Sequence, residues 1–413
     1  MVRGLCPARQ ASHRLCHLLP GRKRLFQRGS RGGQDAPESV PRKAGRPQVR
    51  RLLPFSLLLA IAARPGWTGA PETISIGLWD AARAPARVRV SGASIPEAGT
   101  ARVWTVTASG GRLHVEPGGR AVSRLTLRGS PQMIITGNGS HAAVPGELVL
   151  SARGGRLKGI LKLPLEEYVA RVVAREMPSD WPADALAAQA VVARSFALAS
   201  RGRHARDGFD VCSLTHCQLW SPSPPTARAR QAARRTEGWI LTSGGQTLRA
   251  PFCSTCGGYT ADGAPSGLPA TCVPVRDGPP GQEFCRASPH FRWQARLSPQ
   301  ELGRTAGLAE GQTAEIRVLS RDRGGRVTRA KLAATEMDGG ALLMRFGRAL
   351  GWARVKSCLF TLRKDGPVTV LEGRGLGHGA GLCQWGARGR ALQGQDWKGI
   401  LRAYFPKAEL VRR

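Results

Sequence analysis

The chain has 413 residues, 41% of them hydrophobic, and a formal net charge of +34. That is enough apolar material to bury real cores in two domains or one elaborate one, which excludes a chain without a folded interior. The charge raises a polyanion as partner, but only nine of the 62 basic residues are Lys, and the charge is spread along the chain. Abundant Arg, Ala and Gly is what a GC-rich genome produces. No specific nucleic-acid partner is expected, and an anionic cell envelope suits the charge equally well.

Residues 1–51 hold thirteen Lys or Arg against two acidic residues, without apolar periodicity, and are expected not to fold. RRLLPFSLLLAIAARPGWTGA follows at 50–70, with a basic start, an apolar run from Leu52 to Ala63 and small residues after it. The run is short for a bilayer span and reads as a secretory signal, with an uncleaved anchor as the rival reading. Residues 1–70 are thus read as a leader, and the rest as extracytoplasmic. Cys6 and Cys16 fall in the leader, and eight cysteines follow it. Export permits those to form disulfides.

From about residue 72 to 163 the segments TISIGLW, RVRVSG, RVWTVTA, RLHVEP, SRLTLRG and ELVLSA are short, alternating and separated by Gly, Pro and Ser. They predict a β-rich N-terminal domain over 71–160, with a hairpin turning at Gly154-Gly155. Pro164 opens a helical section. A first helix is expected over about 165–177, stopped by Pro178. A second, PADALAAQAVVARSFALASR, has Asp180 as its cap and Pro182 in its first turn. Leu186, Ala190, Ala193 and Ala197 give it a small-residue stripe that a neighbour can approach closely. Further on come a helix near 225–235, hairpins in GWILTSGGQTLRAPFC and AEIRVLSRDRGGRVTRAKL, a short helix in GALLMRFGRALG and a closing WKGILRAYFP. The fold class is α+β, with 161–410 forming a second domain around a central helical corner.

Val169, Val172, Val173 and Glu176 recur at i, i+3, i+4 and i+7, one core-facing stripe of a helix. A carboxylate at the end of such a stripe is out of place. Burial raises its pKa, which a general acid near neutral pH requires. The competing account is a structural ion pair, because Arg194 on the second helix can reach back across the corner.

HARDGFDVCSLTHCQLW packs Cys212, His216 and Cys217 within six residues, with His204 eight residues upstream. Two thiolates and two imidazoles make a tetrahedral zinc set, structural if all four bind. A Cys212–Cys217 disulfide is the alternative. FCSTCGGYTADG places Gly257 and Gly258 after a C-x-x-C, and paired glycines let backbone approach a ligand. Here Cys253 and Cys256 suggest a disulfide scaffold with Cys272 and Cys285, of undetermined pairing. GRGLGHGAGLCQWGARGRA surrounds His378 with glycines and follows it with Gln384, which fits polar ligand contact. A phosphate loop is discounted because it lacks the Lys-Ser/Thr ending.

In this order, these stretches resemble the stage II sporulation protein D family, which also includes proteins called amidase enhancers. LPLEEYVARVVAREMPSDWPADALAAQAVVARSFAL, the Cys/His segment, STCGGYTA, GLGHGAGLCQWGARGRAL and ILRAYFP carry the likeness, over roughly residues 155–405. The resemblance implies a lytic transglycosylase that cleaves peptidoglycan glycan strands between MurNAc and GlcNAc, leaving 1,6-anhydro ends. The family's catalytic glutamate falls on Glu176 and its second-helix arginine on Arg194. Its zinc ligands fall on His204, Cys212, His216 and Cys217, and a tyrosine implicated in some members falls on Tyr259. Ser254, Gly257, Gly258, His378 and Gln384 would contact the glycan. Ala187 stands where many members have Lys, Cys383 where Ser is common, and the Cys253/Cys256 pair is not general in the family. One acid suffices for such chemistry, because the sugar's own 6-hydroxyl replaces the water of an ordinary glycosidase. The rival is a wall-binding module that stimulates a cell-wall amidase and does no chemistry itself.

Overall fold

A computed structural model of the chain describes residues 72–79, 84–95, 101, 103–129, 132–136, 141–263 and 268–413. The expected leader, with Cys6, Cys16 and the apolar run, lies outside them. Ten strands come first: β1 Thr73–Gly77, β2 Arg87–Ser91, β3 Val103–Ser109, β4 Arg112–Glu116, β5 Arg120–Val122, β6 Arg124–Leu127, β7 Gln132–Thr136, β8 His141–Val144, β9 Glu147–Arg153 and β10 Arg156–Pro164. Successive strand side chains point to opposite faces, so Val88 and Val90, Trp104 and Val106, and Leu113 and Val115 all turn inward. Strands β5-β4-β3-β2-β7-β8 form one sheet, and β1-β10-β9-β6 belong to another. Gly154 and Gly155 turn the β9–β10 hairpin with φ of 56° and 69°, the left-handed pair that a two-residue loop of this type requires. Strands β5, β7 and β8 are not among the expected segments.

Strand β10 runs without a loop into α1, Leu165–Glu176, which ends just before Met177-Pro178. Then comes α2, Ala183–Ala199. Pro182 occupies its N-cap and no side chain caps it. The expected Asp180 cap is therefore corrected. A turn closes from the Trp181 N–H to the Pro178 carbonyl and leaves Asp180 two residues short of the position from which its oxygen could cap. There follow β11 Val211–Cys212, α3 Ala227–Arg235, β12 Trp239–Ser243, β13 Gln246–Thr247 and β14 Phe252–Cys253. β11 adds itself in parallel to β1.

Residues 293–373 form an excursion with its own core. It comprises β15 Trp293–Leu297, α4 Pro299–Ala306, β16 Ile316–Arg321, β17 Val327–Leu332, β18 Thr335–Asp338, α5 Gly339–Leu350, β19 Phe360–Asp365 and β20 Val368–Gly373. Leu297, Leu302, Ala330, Leu342, Phe346 and Leu371 fill its interior. Trp293 pairs with Gly373 across β15 and β20. Any Cβ at 373 would overlap the Trp293 indole, so the clamp requires glycine there. The chain closes with β21 Leu382–Cys383, α6 Gln384–Leu392, α7 Trp397–Tyr404 and β22 Glu409–Arg412.

Helix α2 is the hub. Its stripe of Leu186, Ala190, Ala193 and Ala197 is fully buried, and α1, α3, α6 and α7 all pack on it. Small side chains permit that many close neighbours. One apolar core runs through the N-terminal strands and these helices. The α+β class is thus present: α1, α2, α3, α6 and α7 pack together, α4 and α5 belong to the excursion, and most strand pairs are antiparallel. Among the described residues, no helix is long and apolar enough to cross a membrane.

Candidate active site

Glu176 is the last residue of α1. The stripe that leads to it is core, since Val169, Val172 and Val173 are fully buried. Glu176 itself is half-buried. Its carboxyl is crowded by protein while one edge of the residue stays open. Its Oε1 accepts a 2.8 Å hydrogen bond from the Leu219 N–H. Gln384 reaches over from the start of α6 and donates its amide to the Glu176 carbonyl at 3.3 Å. Burial pushes the carboxyl's pKa up to about 7, against smaller downward pulls from the Leu219 N–H, the Arg175 charge and Gln384. The helix terminus acts in the same direction as burial, because the last carbonyls of a helix present negative partial charge.

The residue that bonds this carboxylate sits on the thiol loop. His204 Nε2 lies 3.4 Å from Cys217 Sγ, and His216 Nδ1 lies 3.8 Å from the sulfurs of both Cys212 and Cys217. All four donor atoms fall within 4.8 Å of one another. With Zn–S and Zn–N bonds near 2.3 and 2.0–2.1 Å, a tetrahedral ion sets its S···N edges at about 3.6 Å, so this donor set fits zinc. Among the described residues no cysteine is in a disulfide. The hydrogen bond between the two thiols pulls Cys212 down and pushes Cys217 up. Phe209 stacks on His204 at 4.9 Å between ring centroids and lies across Gly77, where a Cβ would strike its ring. Asp210 fastens the loop to β1 by accepting from the Ser75 N–H and hydroxyl at 2.9 and 2.7 Å. Two residues after Cys217 comes Leu219. Between them Gln218 accepts from the buried Tyr168 hydroxyl at 2.9 Å. The last donor of the set and the N–H that bonds the acid thus share one short stretch of backbone.

The glycine-rich segments meet as parallel β14 and β21. Ser254 accepts from the Trp385 N–H at 3.1 Å, which brings it beside Gln384. Gly257 and Gly258 are packed against protein on the side a Cβ would take. Their φ values are 79° and 101°, and a Cβ on them would meet Arg374 and Glu283; the close approach they allow is between loops of the protein. Tyr259 and His378 gather around Arg326 instead. Arg326 donates to the Tyr259 carbonyl at 3.3 Å, and its charge, after the crowding of the ring, pushes His378 down. His378 is exposed, so solvent softens that push. Its Nδ1 accepts from the Ala380 N–H at 3.1 Å. The contacts that place Tyr259 and His378 run to Arg326, Arg276 and the neighbouring glycine loops.

Arg194 needs a correction too. Its Nε and Nη2 bind both oxygens of Glu166 at 2.7 and 2.6 Å, and it also donates to the Trp239 and Ala233 carbonyls. Glu166 precedes Glu176 by ten residues, about 15 Å along the helix. Arg194 therefore pins α1, α2 and α3 together, and its charge is spent far from the acid. The sequence gives no sign of Gln189, whose Oε1 lies 3.5 Å from the Gln384 amide, nor of Trp181 and Trp385, which meet edge to face at 5.0 Å under the Arg388 guanidinium. A hollow of about 460 Å³ formed by residues 282–287 and α6 includes Arg388 but none of the expected site residues.

A profile of the family described as Stage II sporulation protein matches residues 153–243, the stretch that carries Glu176, Arg194 and the thiol loop. An uncharacterized protein of Brachyspira hyodysenteriae is 31% identical over 256 residues, covering 60% of this chain and 67% of that one. Stage II sporulation protein D of Bacillus subtilis is 26% identical, over 61% of this chain and 76% of its own length. The chain belongs to the stage II sporulation protein D family. The amidase enhancer of Bacillus subtilis, 23% identical, aligns with 58% of this chain and 40% of itself. The family profile ends at residue 243; the glycine-rich segments and the 293–373 excursion lie beyond it.

Proposed function

We propose that this family member is an exported lytic transglycosylase of peptidoglycan, with Glu176 as its only acid and base. The observation that carries the reading is a partly accessible carboxyl held near pKa 7 by burial, bonded by one N–H and free of the Arg194 guanidinium. Protonated Glu176 donates to the glycosidic oxygen as the bond to the anomeric carbon breaks. The resulting carboxylate then takes the proton of the sugar's 6-hydroxyl as that oxygen attacks the same carbon. The 1,6-anhydro ring closes and Glu176 is protonated again, so no water is consumed. Such an intramolecular attack reaches effective molarities on the order of 10⁵ M or more. With the Leu219 N–H on Oε1, Oε2 is the oxygen left to exchange protons. Gln384, which reaches the Glu176 carbonyl, and Ser254, tied to the next residue Trp385, would contact the glycan. Zn²⁺ held by His204, Cys212, His216 and Cys217 would neutralise two thiolates and fix the loop that presents the Leu219 N–H. The cationic surface suits an anionic envelope, and the leader supplies the export.

A second reading, a non-catalytic module that stimulates a cell-wall amidase, is favoured by the likeness to the amidase enhancer. One experiment separates them. Sacculi are digested with purified wild type and Glu176→Gln, and the products are separated by mass spectrometry. Anhydro-ended products from wild type alone support the transglycosylase. Stimulation of a co-added amidase by both proteins, without anhydro products from either, supports the module.

A further inference from the structure

A second group of donors lies apart from His204, Cys212, His216 and Cys217. Cys256, Asp277, Cys285 and Cys383 are all fully buried, and one donor atom from each falls within 4.8 Å of the other three. They come from three separate loops. Cys256 follows β14, Asp277 and Cys285 bracket the 277–285 turn, and Cys383 is the N-cap of α6. The sulfurs of Cys256 and Cys285 are 3.7 Å apart, close to the S···S edge of about 3.8 Å that a tetrahedral zinc thiolate sets.

The surroundings are those of a ligand cage. Cys383 Sγ accepts from the N–H groups of Cys256 and Gly386 at 3.2 and 3.3 Å, and backbone donors of this kind stabilise a thiolate. Asp277 Oδ2 accepts from the Cys285 N–H at 3.1 Å. Its Oδ1 accepts from the Tyr404 hydroxyl, with Arg390 Nε at 3.8 Å. Bonds like these orient first ligands around a metal. Glycine at 386 is obligatory for the arrangement, because a Cβ there would overlap the Tyr404 hydroxyl and press on the Asp277 carboxylate. Three thiols converging on a carboxylate exceed what one disulfide can use. Cys272, expected to share in a disulfide scaffold, is not one of the four.

We propose that Cys256, Cys285, Cys383 and Asp277 bind a second Zn²⁺, which ties the 252–258 loop, the 277–285 turn and the start of α6 together. Three cysteines and one carboxylate are a closed tetrahedral set for a borderline-soft divalent ion, so the role is structural. Binding releases to solvent the protons that the four donors carry. Gln384 directly follows Cys383, and Ser254 precedes Cys256 by two residues. The ion would therefore fix the start of α6, from which Gln384 reaches the Glu176 carbonyl.

The test is metal stoichiometry on the full chain, purified under reducing conditions without chelator. Elemental and native mass spectrometry should give two zinc ions per chain in wild type, one in Cys217→Ser and one in Cys285→Ser. Should Cys285→Ser fail to fold, cobalt replaces it as probe. Cys217→Ser reloaded with Co²⁺ should show the intense thiolate-to-cobalt absorption of a three-sulfur site. The proposal is overturned by a single zinc that Cys217→Ser removes entirely. It is also overturned if wild type purified in parallel without reductant is lighter by the mass of two or four hydrogens, with Cys256, Cys285 or Cys383 refusing alkylation in denaturant until a reductant is added.

Discussion

The two ends of helix α1 hold the same functional group in opposite surroundings. Glu166, in the first turn, meets both arms of a buried guanidinium. Glu176, in the last turn, meets a single backbone N–H. The first end is favourable for an acid and the second unfavourable, on the helix's own partial charges. One carboxylate is therefore gripped by a guanidinium and does mechanical work between helices. The other is kept protonatable and half-open. Residue type says nothing about which is which; the partner and the helix end decide.

The largest effect should come from Glu176→Gln. Loss of the only acid and base should lower anhydro-product formation by about 10²–10⁴-fold. The same variant tests the pKa. In the fold the group titrates near 7 rather than 4.5, so the native state holds its proton more tightly than the unfolded chain does. That stabilisation is complete below pH 4.5 and is lost as pH rises through 7. Gln should thus be about 2 kcal/mol more stable relative to wild type at pH 8 than at pH 4, after allowance for half-burial. Denaturant melts at the two pH values that show an equal difference would sink the assignment. At the other end, Arg194→Met should cost about 3 kcal/mol, because it strands Glu166 and two carbonyls. The pH profile of the surviving activity should stay where it was; a moved profile would show that the two ends are not independent.

Smaller effects should follow the thiol loop. Stripping metal, or Cys217→Ser, should loosen the Leu219 N–H, which lowers the pKa of Glu176. Activity should fall on the order of tenfold, the value of one hydrogen bond to a charged group, and the alkaline limb of the pH–rate profile should shift upward. A downward shift would contradict the hydrogen bond seen here. Gln384→Ala should be the mildest. It removes the weakest of the downward pulls on Glu176, so the alkaline limb should again rise, by a fraction of a pH unit, with only a few-fold loss of rate.

Much of this was legible in local pattern. The valine stripe, the small-residue stripe of α2 and the Gly-Gly hairpins are short-range signals, and each is where the sequence places it. Helix α4 lies outside the expected elements although Ser298 and Glu301 form a full capping box, and the glycines within α6 hide that helix. What no local pattern could supply is who meets whom across the chain. Arg194 chooses Glu166 over Glu176 because helix direction sets its reach. Gly257 and Gly258 sit against Arg374 and Glu283, neighbours that no local pattern announces. Cys383 joins Cys256 and Cys285 from 127 and 98 positions away, a convergence that spacing could not reveal.

The clamp of Trp293 on Gly373 has an evolutionary consequence. An excursion whose ends are already held side by side owes little closure entropy to its contour, since each doubling of a flexible loop costs only about 0.6 kcal/mol. Lengthening or shortening of the chain beyond that pinch would therefore be tolerated by the frame, and change can accumulate there while the remainder stands still.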